Sequence, residues 1–312
     1  VPADPAAIDA ILKQVLDAVP FQLTPDGGVD AARARFRELP RMPILPEVTA
    51  QDRTVDGSAG PIPIRIYTPP PTGRTPAVVM YFHGGGFAVG DLDTHDGTAR
   101  QHAVGADAVV VSVDYRLAPE HPYPAAVEDA WAATRWAADN GAVLGADASR
   151  LAVAGDSAGG NLAAVMALLA RDENGPAIAF QLLWYPTVLW DNTLPSFTEN
   201  AEAPILGRSA IDAFSEWYAG HVDPANPPAT LAPGRAARFD GLAPAYIAVA
   251  GHDPLRDDGI GYAERLTAAG VSVTLDHAET LVHGYLGFAG IIPATTEAMD
   301  RGLTALRAAL NS

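Results

Sequence analysis

The sequence predicts an α/β fold in which a mostly parallel central sheet is flanked by helices. Three observations carry that expectation. Six short runs, at 77–82, 108–113, 151–154, 180–184, 245–250 and 271–275, are nearly continuous in Val, Ile, Leu, Ala and aromatic residues. Such runs suit strands buried on both faces. Helical stretches at 124–139, 158–171 and 258–269 lie between most of them, as crossovers joining parallel strands require. Finally, 48% of the 312 residues are hydrophobic and 18% charged, enough apolar material for a large buried sheet and too much for a disordered chain.

The N-terminus reads as a helix, with Asp4 placed to cap it, Pro5 at its first position, and Ile8, Ile11, Leu12, Val15 and Leu16 at helical spacing. A second helix is expected over 29–39, stopped by Pro40. Strand-like segments follow at 48–55 and 62–67, joined through Asp56-Gly57 and marked by the alternation of Ile62, Ile64 and Ile66. They form an antiparallel hairpin that opens the sheet. Strands and helices then alternate until 187–243, which is too long for an ordinary connection and holds its own helical piece at 209–218. The chain therefore divides into an N-terminal part of a helical cap (1–47), the first part of an α/β core (48–186), a cap insertion (187–243) and the rest of the core (244–312).

Charge excludes several roles. Lys and Arg total 20 against 37 Asp and Glu, a net charge of -17, so phosphate backbones and anionic lipid surfaces are repelled and neither nucleic acid nor membrane insertion is expected. The longest wholly apolar run, Leu162 to Ala170, is far short of a membrane span. No cysteine is present, which rules out disulfides, thiolate metal sites and thiol nucleophiles and suits a cytoplasmic location. Lys13 is the only lysine; a P-loop or a Schiff base in the core needs one that the chain lacks.

Chemistry concentrates in four places. Gly155-Asp156-Ser157-Ala158-Gly159 follows one strand and opens a helix, the strand–turn–helix context of a nucleophile elbow. Side chains at 155 and 159 would collide across so sharp a turn, leaving Ser157 projecting above the sheet with a helix N-terminus behind it. His83-Gly84-Gly85-Gly86-Phe87 follows the strand at 77–82; its glycines free backbone N–H groups to meet a developing negative charge. A dinucleotide fingerprint fails there because Val89 stands where the third glycine belongs. Asp253 follows the strand at 245–250 and His283 the strand at 271–275, so serine, acid and histidine occur in the order of a Ser-Asp-His site at one edge of a parallel sheet. Asp257 and Asp258 compete as acids but suit helix capping, and His252 and His277 compete as bases. Asp91, Asp93, His95 and Asp96 crowd together without calcium-loop or zinc spacing, so the expectation is a capped loop-to-helix junction and no metal.

The set HGGGF, GDSAGG (Gly155 to Gly160), DPLRD (Asp253 to Asp257) and HGY (His283 to Tyr285), with the stretches 92–96 and 115–122, resembles the hormone-sensitive-lipase-like family of microbial esterases across roughly residues 60 to 290. The resemblance implies the α/β-hydrolase fold with a cap from the N-terminus and an insertion after the sixth strand. It implies Ser157, Asp253 and His283 as catalytic residues, the N–H groups of Gly85, Gly86 and Ala158 as oxyanion donors, and Phe87 and Tyr185 in the pocket. No cofactor is implied, and the substrates are small short-to-medium acyl esters. Phe214 and Trp217 are bulky apolar residues of the insertion expected to shape that pocket. A non-catalytic binding protein on this scaffold is the rival class, and the intact triad positions argue against it. An amidase or a lipase remains an alternative on the same site, although 187–243 is too polar for a large apolar lid. The strand at 271–275 falls at a sheet edge in the family's order, from which a homodimer through that strand is expected.

Overall fold

The structure, a computed structural model, describes residues 6–39, 41 and 44–311. Helix α1 (Ala10–Ala18), the short strand β1 (Gln22–Leu23) and helix α2 (Gly28–Arg37) come first. Asp9 caps α1, its carboxylate accepting from the N–H groups of Ile11 and Leu12 at 3.0 Å. Those N–H groups have no partner inside the helix, and the Asp9 oxygen fixes the start there. Asp4 and Pro5, expected at this start, and Pro40, the expected stop of α2, lie outside the described residues. The hairpin of β2 (Thr49–Gly57) and β3 (Gly60–Thr68) is antiparallel, but it turns at Ser58-Ala59. Asp56 and Gly57 pair with Pro61 and Gly60 inside the ladder, two residues before the actual turn.

Then follow β4 (Ala77–Phe82), α3 (Asp96–Ala106), β5 (Ala108–Val113), α4 (Ala125–Asp139), α5 (Gly141–Leu144), β6 (Asp147–Asp156) and α6 (Ala158–Asp172). After β7 (Ile178–Trp184) come α7 (Pro195–Glu199), β8 (Ile205–Leu206) and α8 (Arg208–Ala219). The chain closes with β9 (Ala245–His252), α9 (Arg256–Ala268), β10 (Val273–Val282) and α10 (Pro293–Leu310). The main sheet has eight strands in the order β10-β9-β7-β6-β4-β5-β3-β2. It is parallel from β10 to β5 and antiparallel at the β3 and β2 end.

Alternate residues of each central strand feed two separate cores. Val78, Met80 and Phe82 of β4 join the core that includes Ala130 of α4, Leu162 of α6 and Tyr262 of α9. Ala77, Val79 and Tyr81 face the opposite core, with Ala99 and Ala103 of α3 and Leu303 and Leu306 of α10. Period-two alternation with both faces covered is why these strands read as unbroken apolar runs. β10 is longer than the expected 271–275 and displaced toward the C-terminus. Its polar residues are held by neighbours: Asp276 accepts from the Tyr246 hydroxyl at 2.7 Å and pairs with Arg301 of α10 at 2.9 Å.

A third, smaller core lies over the carboxyl ends of the strands. Ala32 of α2, Phe197, Leu206, Ala210 and Phe214 of the 187–243 insertion, and Ala88, Val89 and Leu255 of the sheet's loops all belong to it. β1 and β8 pair in parallel, Gln22 with Ile205 and Leu23 with Leu206. The N-terminal segment and the long insertion therefore meet through backbone as well as side chains.

Candidate active site

The parallel strands point their carboxyl ends toward one edge, which delivers four loops to one place. β6 ends at Asp156 and α6 begins at Ala158, so Ser157 alone makes the turn, with φ 55° and ψ -115°. That left-handed conformation costs a non-glycine residue on the order of 1–3 kcal/mol. A Cβ at Gly159 would overlap the carbonyl of Phe82, and one at Gly155 the carbonyl of Gly159, so only glycine fits on either side. The Ser157 N–H donates to the Trp184 carbonyl at 2.8 Å, which pins the strained turn to β7.

His283 follows β10 directly and Asp253 follows β9. The His283 ring lies with Nδ1 2.7 Å from Asp253 Oδ2 and Nε2 3.0 Å from Ser157 Oγ. A carboxylate only accepts, so Nδ1 carries the proton and Nε2 is left to accept from the serine hydroxyl. Asp253 is fully buried, and its second oxygen accepts from the Leu255 N–H at 2.8 Å. The Tyr185 ring packs on His283 with centroids 4.7 Å apart. The competing residues go elsewhere. His252 Nε2 contacts the Ala6 carbonyl at 2.8 Å, and His277 pairs with Val249 within the ladder. Asp257 accepts from the Ser196 N–H at 2.9 Å. Asp258, almost fully buried, accepts from the N–H groups of Val188 and Leu189. Neither acid caps its own helix; both tie the long insertion to the core.

The glycine loop runs left-handed through three residues, Gly85 (φ 121°), Gly86 (φ 58°) and Phe87 (φ 59°). Gly84 N–H donates to Asp156 Oδ1 at 2.9 Å, and the Gly85 carbonyl accepts from Ala88 and Val89. Among the described residues no acceptor takes the N–H of Gly85, Gly86 or Ala158. Three donors without a protein acceptor beside a serine hydroxyl can hold an oxygen anion.

An apolar cavity of about 220 Å³ opens at Ser157 and His283. Val15 and Leu16 of α1, Val19 just after it, Phe36 of α2, Leu206 and Phe214 supply much of its wall, and Phe87 and Tyr185 also line it. Trp217 does not. It packs against Phe214 instead, ring centroids 4.8 Å apart.

A family model described as alpha/beta hydrolase fold matches residues 79–287. The chain belongs to the hormone-sensitive-lipase-like family of α/β hydrolases. Over 307 residues it is 66% identical to the esterase LipI of Mycobacterium tuberculosis, a match covering 98% of this chain and 96% of that protein. Over 311 residues it is 58% identical to the carboxylesterase NlhH of the same species, covering 98% and 97%. Among solved structures, a hyperthermophilic esterase from the archaeon Pyrobaculum calidifontis matches with a TM-score of 0.87 and 38% identity, covering 97% of this chain and 99% of that one.

This α/β hydrolase also carries a polar floor that the motifs did not single out. Asp156 accepts from the Tyr81 hydroxyl at 2.6 Å, and its other oxygen lies 3.7 Å from His95 Nε2. Burial pushes the Asp156 carboxyl up, but neighbouring His95 and the hydrogen bonds around it hold it down at about 2. His95 and Thr98 line the cavity beside it. The signal available in the sequence was the acidic cluster at 91–96, expected to be a capped helix start. The side chain before α3 makes no capping bond; Asp91 and Thr94 instead exchange bonds at 2.8 Å, and Asp93 and Asp96 pair with Arg65 and Arg100.

Proposed function

We propose that this chain is a serine carboxylesterase for short-to-medium acyl esters, with Ser157 as nucleophile, His283 as general base and Asp253 as the acid that orients it. The chain is a carboxylic ester hydrolase, as relatives with the names esterase and carboxylesterase are. The single observation that carries the mechanism is the line of contacts from Asp253 through His283 to Ser157, at 2.7 and 3.0 Å, beside three N–H groups without acceptors.

In this reading His283 Nε2 takes the Ser157 proton while Oγ bonds to the ester carbonyl carbon. The carbonyl oxygen becomes an anion held by the N–H groups of Gly85, Gly86 and Ala158. Asp253 stabilises the imidazolium, which then protonates the departing alcohol. Water, deprotonated by the same imidazole, repeats the attack on the acyl-enzyme and releases the acid.

The segments 1–47 and 187–243 are proposed to form one cap over this site; the pairing of β1 with β8 supports that boundary. The cap's apolar wall supports acyl chains of modest length, since the cavity is small and lined by packed side chains. A homodimer through β10 is also proposed, because β10 is the edge strand of the main sheet and Leu275 on it is 41% exposed. Analytical ultracentrifugation at micromolar concentration tests that association, and monomer alone overturns it. A cytoplasmic location is proposed from the cysteine-free composition, with cell fractionation as its test. The activity itself is tested by hydrolysis of p-nitrophenyl esters from acetate to palmitate. Activity peaking near butyrate or hexanoate and falling by dodecanoate supports the reading, and a rate still rising at palmitate makes the enzyme a lipase.

A further inference from the structure

We infer that Arg33, on the N-terminal helix α2, is a positioning residue for the glycine loop, so that the oxyanion donors are set in part from outside the sheet. The inference rests on the reading of Gly85 and Gly86 as those donors.

Three consecutive left-handed residues have no ladder or helix to hold them; the bonds of Ala88 and Val89 to the Gly85 carbonyl close the turn on itself, and hydrogen bonds from neighbouring segments set where that turn sits. On the strand side the loop is anchored by the bond from Gly84 N–H to Asp156. On the far side the Phe87 carbonyl accepts from the Ala118 N–H at 2.8 Å, which joins the loop to residues 118–120. That second segment is itself a loop.

Arg33 locks the two together. Its Nε donates to the Ala88 carbonyl at 2.9 Å and its Nη2 to the Ala118 carbonyl at 3.0 Å. Both Nη groups also donate to Glu120, each at 2.7 Å. One guanidinium thus makes four bonds to the two loops, and its side chain is only 18% exposed. A planar fork with donors on three nitrogens fits this set, whereas a lysine ammonium cannot span the two carbonyls and the carboxylate together.

The insertion grips the same loop from another direction. Tyr218 of α8 stacks on Phe87 with ring centroids 3.8 Å apart and planes 6° apart. Phe214, one turn earlier, packs so closely on Gly86 that a Cβ there would overlap its ring. Aromatic packing of this kind limits how far the loop can swing but leaves it free to slide. The forked hydrogen bonds of Arg33 set its register. Loss of Arg33 therefore misplaces donors that act chiefly on the transition state, and the effect falls on kcat more than on KM.

The test compares the intact enzyme with Arg33→Lys and Arg33→Met. It uses p-nitrophenyl butyrate as substrate and butylboronic acid as a tetrahedral adduct former, with rates normalised to active sites titrated with an organophosphate. The expected result is a kcat lower by about tenfold or more in Arg33→Met, since loss of a whole oxyanion donor costs about 10²–10³. KM should stay within about twofold, and boronate affinity should fall in step with kcat. Arg33→Lys, which keeps the charge opposite Glu120, should recover the melting temperature and only part of kcat; it decides the matter if Arg33→Met does not fold. A fall in melting temperature with kcat and boronate affinity unchanged per active site overturns the inference. So does full rescue of kcat by lysine. If the unaltered enzyme neither hydrolyses the ester nor binds the boronate, the proposed function fails first.

Discussion

Asp258 offers a test that turns mainly on burial. Its carboxylate is 1% exposed and accepts from the N–H groups of Val188 and Leu189, where the long insertion leaves the sheet. Burial pushes this carboxyl up from an ordinary 3.8 to about 7, against the pull of those two N–H groups and with help from the Asp253 and Asp191 charges. Between those two values the folded state holds a proton that the unfolded state has released. Stability from this site therefore falls as pH rises from about 4 to 7 and levels off above. Each pH unit below 7 is worth about 1.4 kcal/mol, so from about pH 5.5 to pH 8.5 the loss is about 2 kcal/mol. Asp258→Asn keeps one acceptor and places donors without partners, at a pH-independent cost of about 1–3 kcal/mol. The measurement is equilibrium urea unfolding of both proteins across that range. The advantage of the native enzyme over Asp258→Asn should shrink by about 2 kcal/mol as pH rises. A constant difference, or an advantage that grows with pH, refutes the reasoning.

Asp253→Asn should lower kcat by roughly 10⁴, since an amide donating toward Nδ1 favours the wrong imidazole tautomer. Asp257→Asn, which touches Ser196 and Arg256 but not His283, should cost far less, and steady-state kinetics of the pair shows which carboxylate orients His283. Phe214→Ala removes a cavity wall and should shift the acyl-chain optimum in kcat/KM toward longer esters. Trp217→Ala should lower the melting temperature with the optimum unmoved, because Trp217 packs against Phe214 and does not line the cavity. Gly159→Ala forces a Cβ into the Phe82 carbonyl and should destabilise toward or beyond the upper end of about 1–3 kcal/mol. Gly287→Ala, with no atom of the described residues within 4 Å of the added carbon, should leave the melting temperature nearly unchanged.

The features legible in the sequence are those set by local chemistry. Ser157 and its flanking glycines announce a turn that few other residues could make, and β4 and β5 read as strands because both faces are buried. His283 could be ranked above His252 and His277 because it follows a strand's end in the right chain order. Features set by distant partners were harder to see. β10 was expected to be short because Asp276, His277, Glu279 and Thr280 interrupt its apolar pattern, yet pairing with β9 and the contacts of Asp276 with Tyr246 and Arg301 carry it to Val282. Asp257 and Asp258 looked like caps, since nothing nearby in sequence reveals Ser196, Val188 or Leu189 as their partners. Arg33 lies 55 residues from Ala88, and no local pattern marks such a contact. The placement of Trp217 needed the rotation of α8 relative to the cavity, which spacing alone does not fix.

The claim at the centre of the account is that one hydroxyl, at Ser157, carries the reaction. Treating the enzyme with a diethyl p-nitrophenyl phosphate ester and mapping the modified peptide by mass spectrometry tests it most directly. The account predicts a single diethylphosphoryl group on Ser157, with ester hydrolysis lost in proportion to its incorporation. It also predicts no incorporation in the Ser157→Ala protein, whose kcat should be lower by about 10⁶. Modification at a different residue, or a fully labelled Ser157 in an enzyme that still hydrolyses esters, would contradict it.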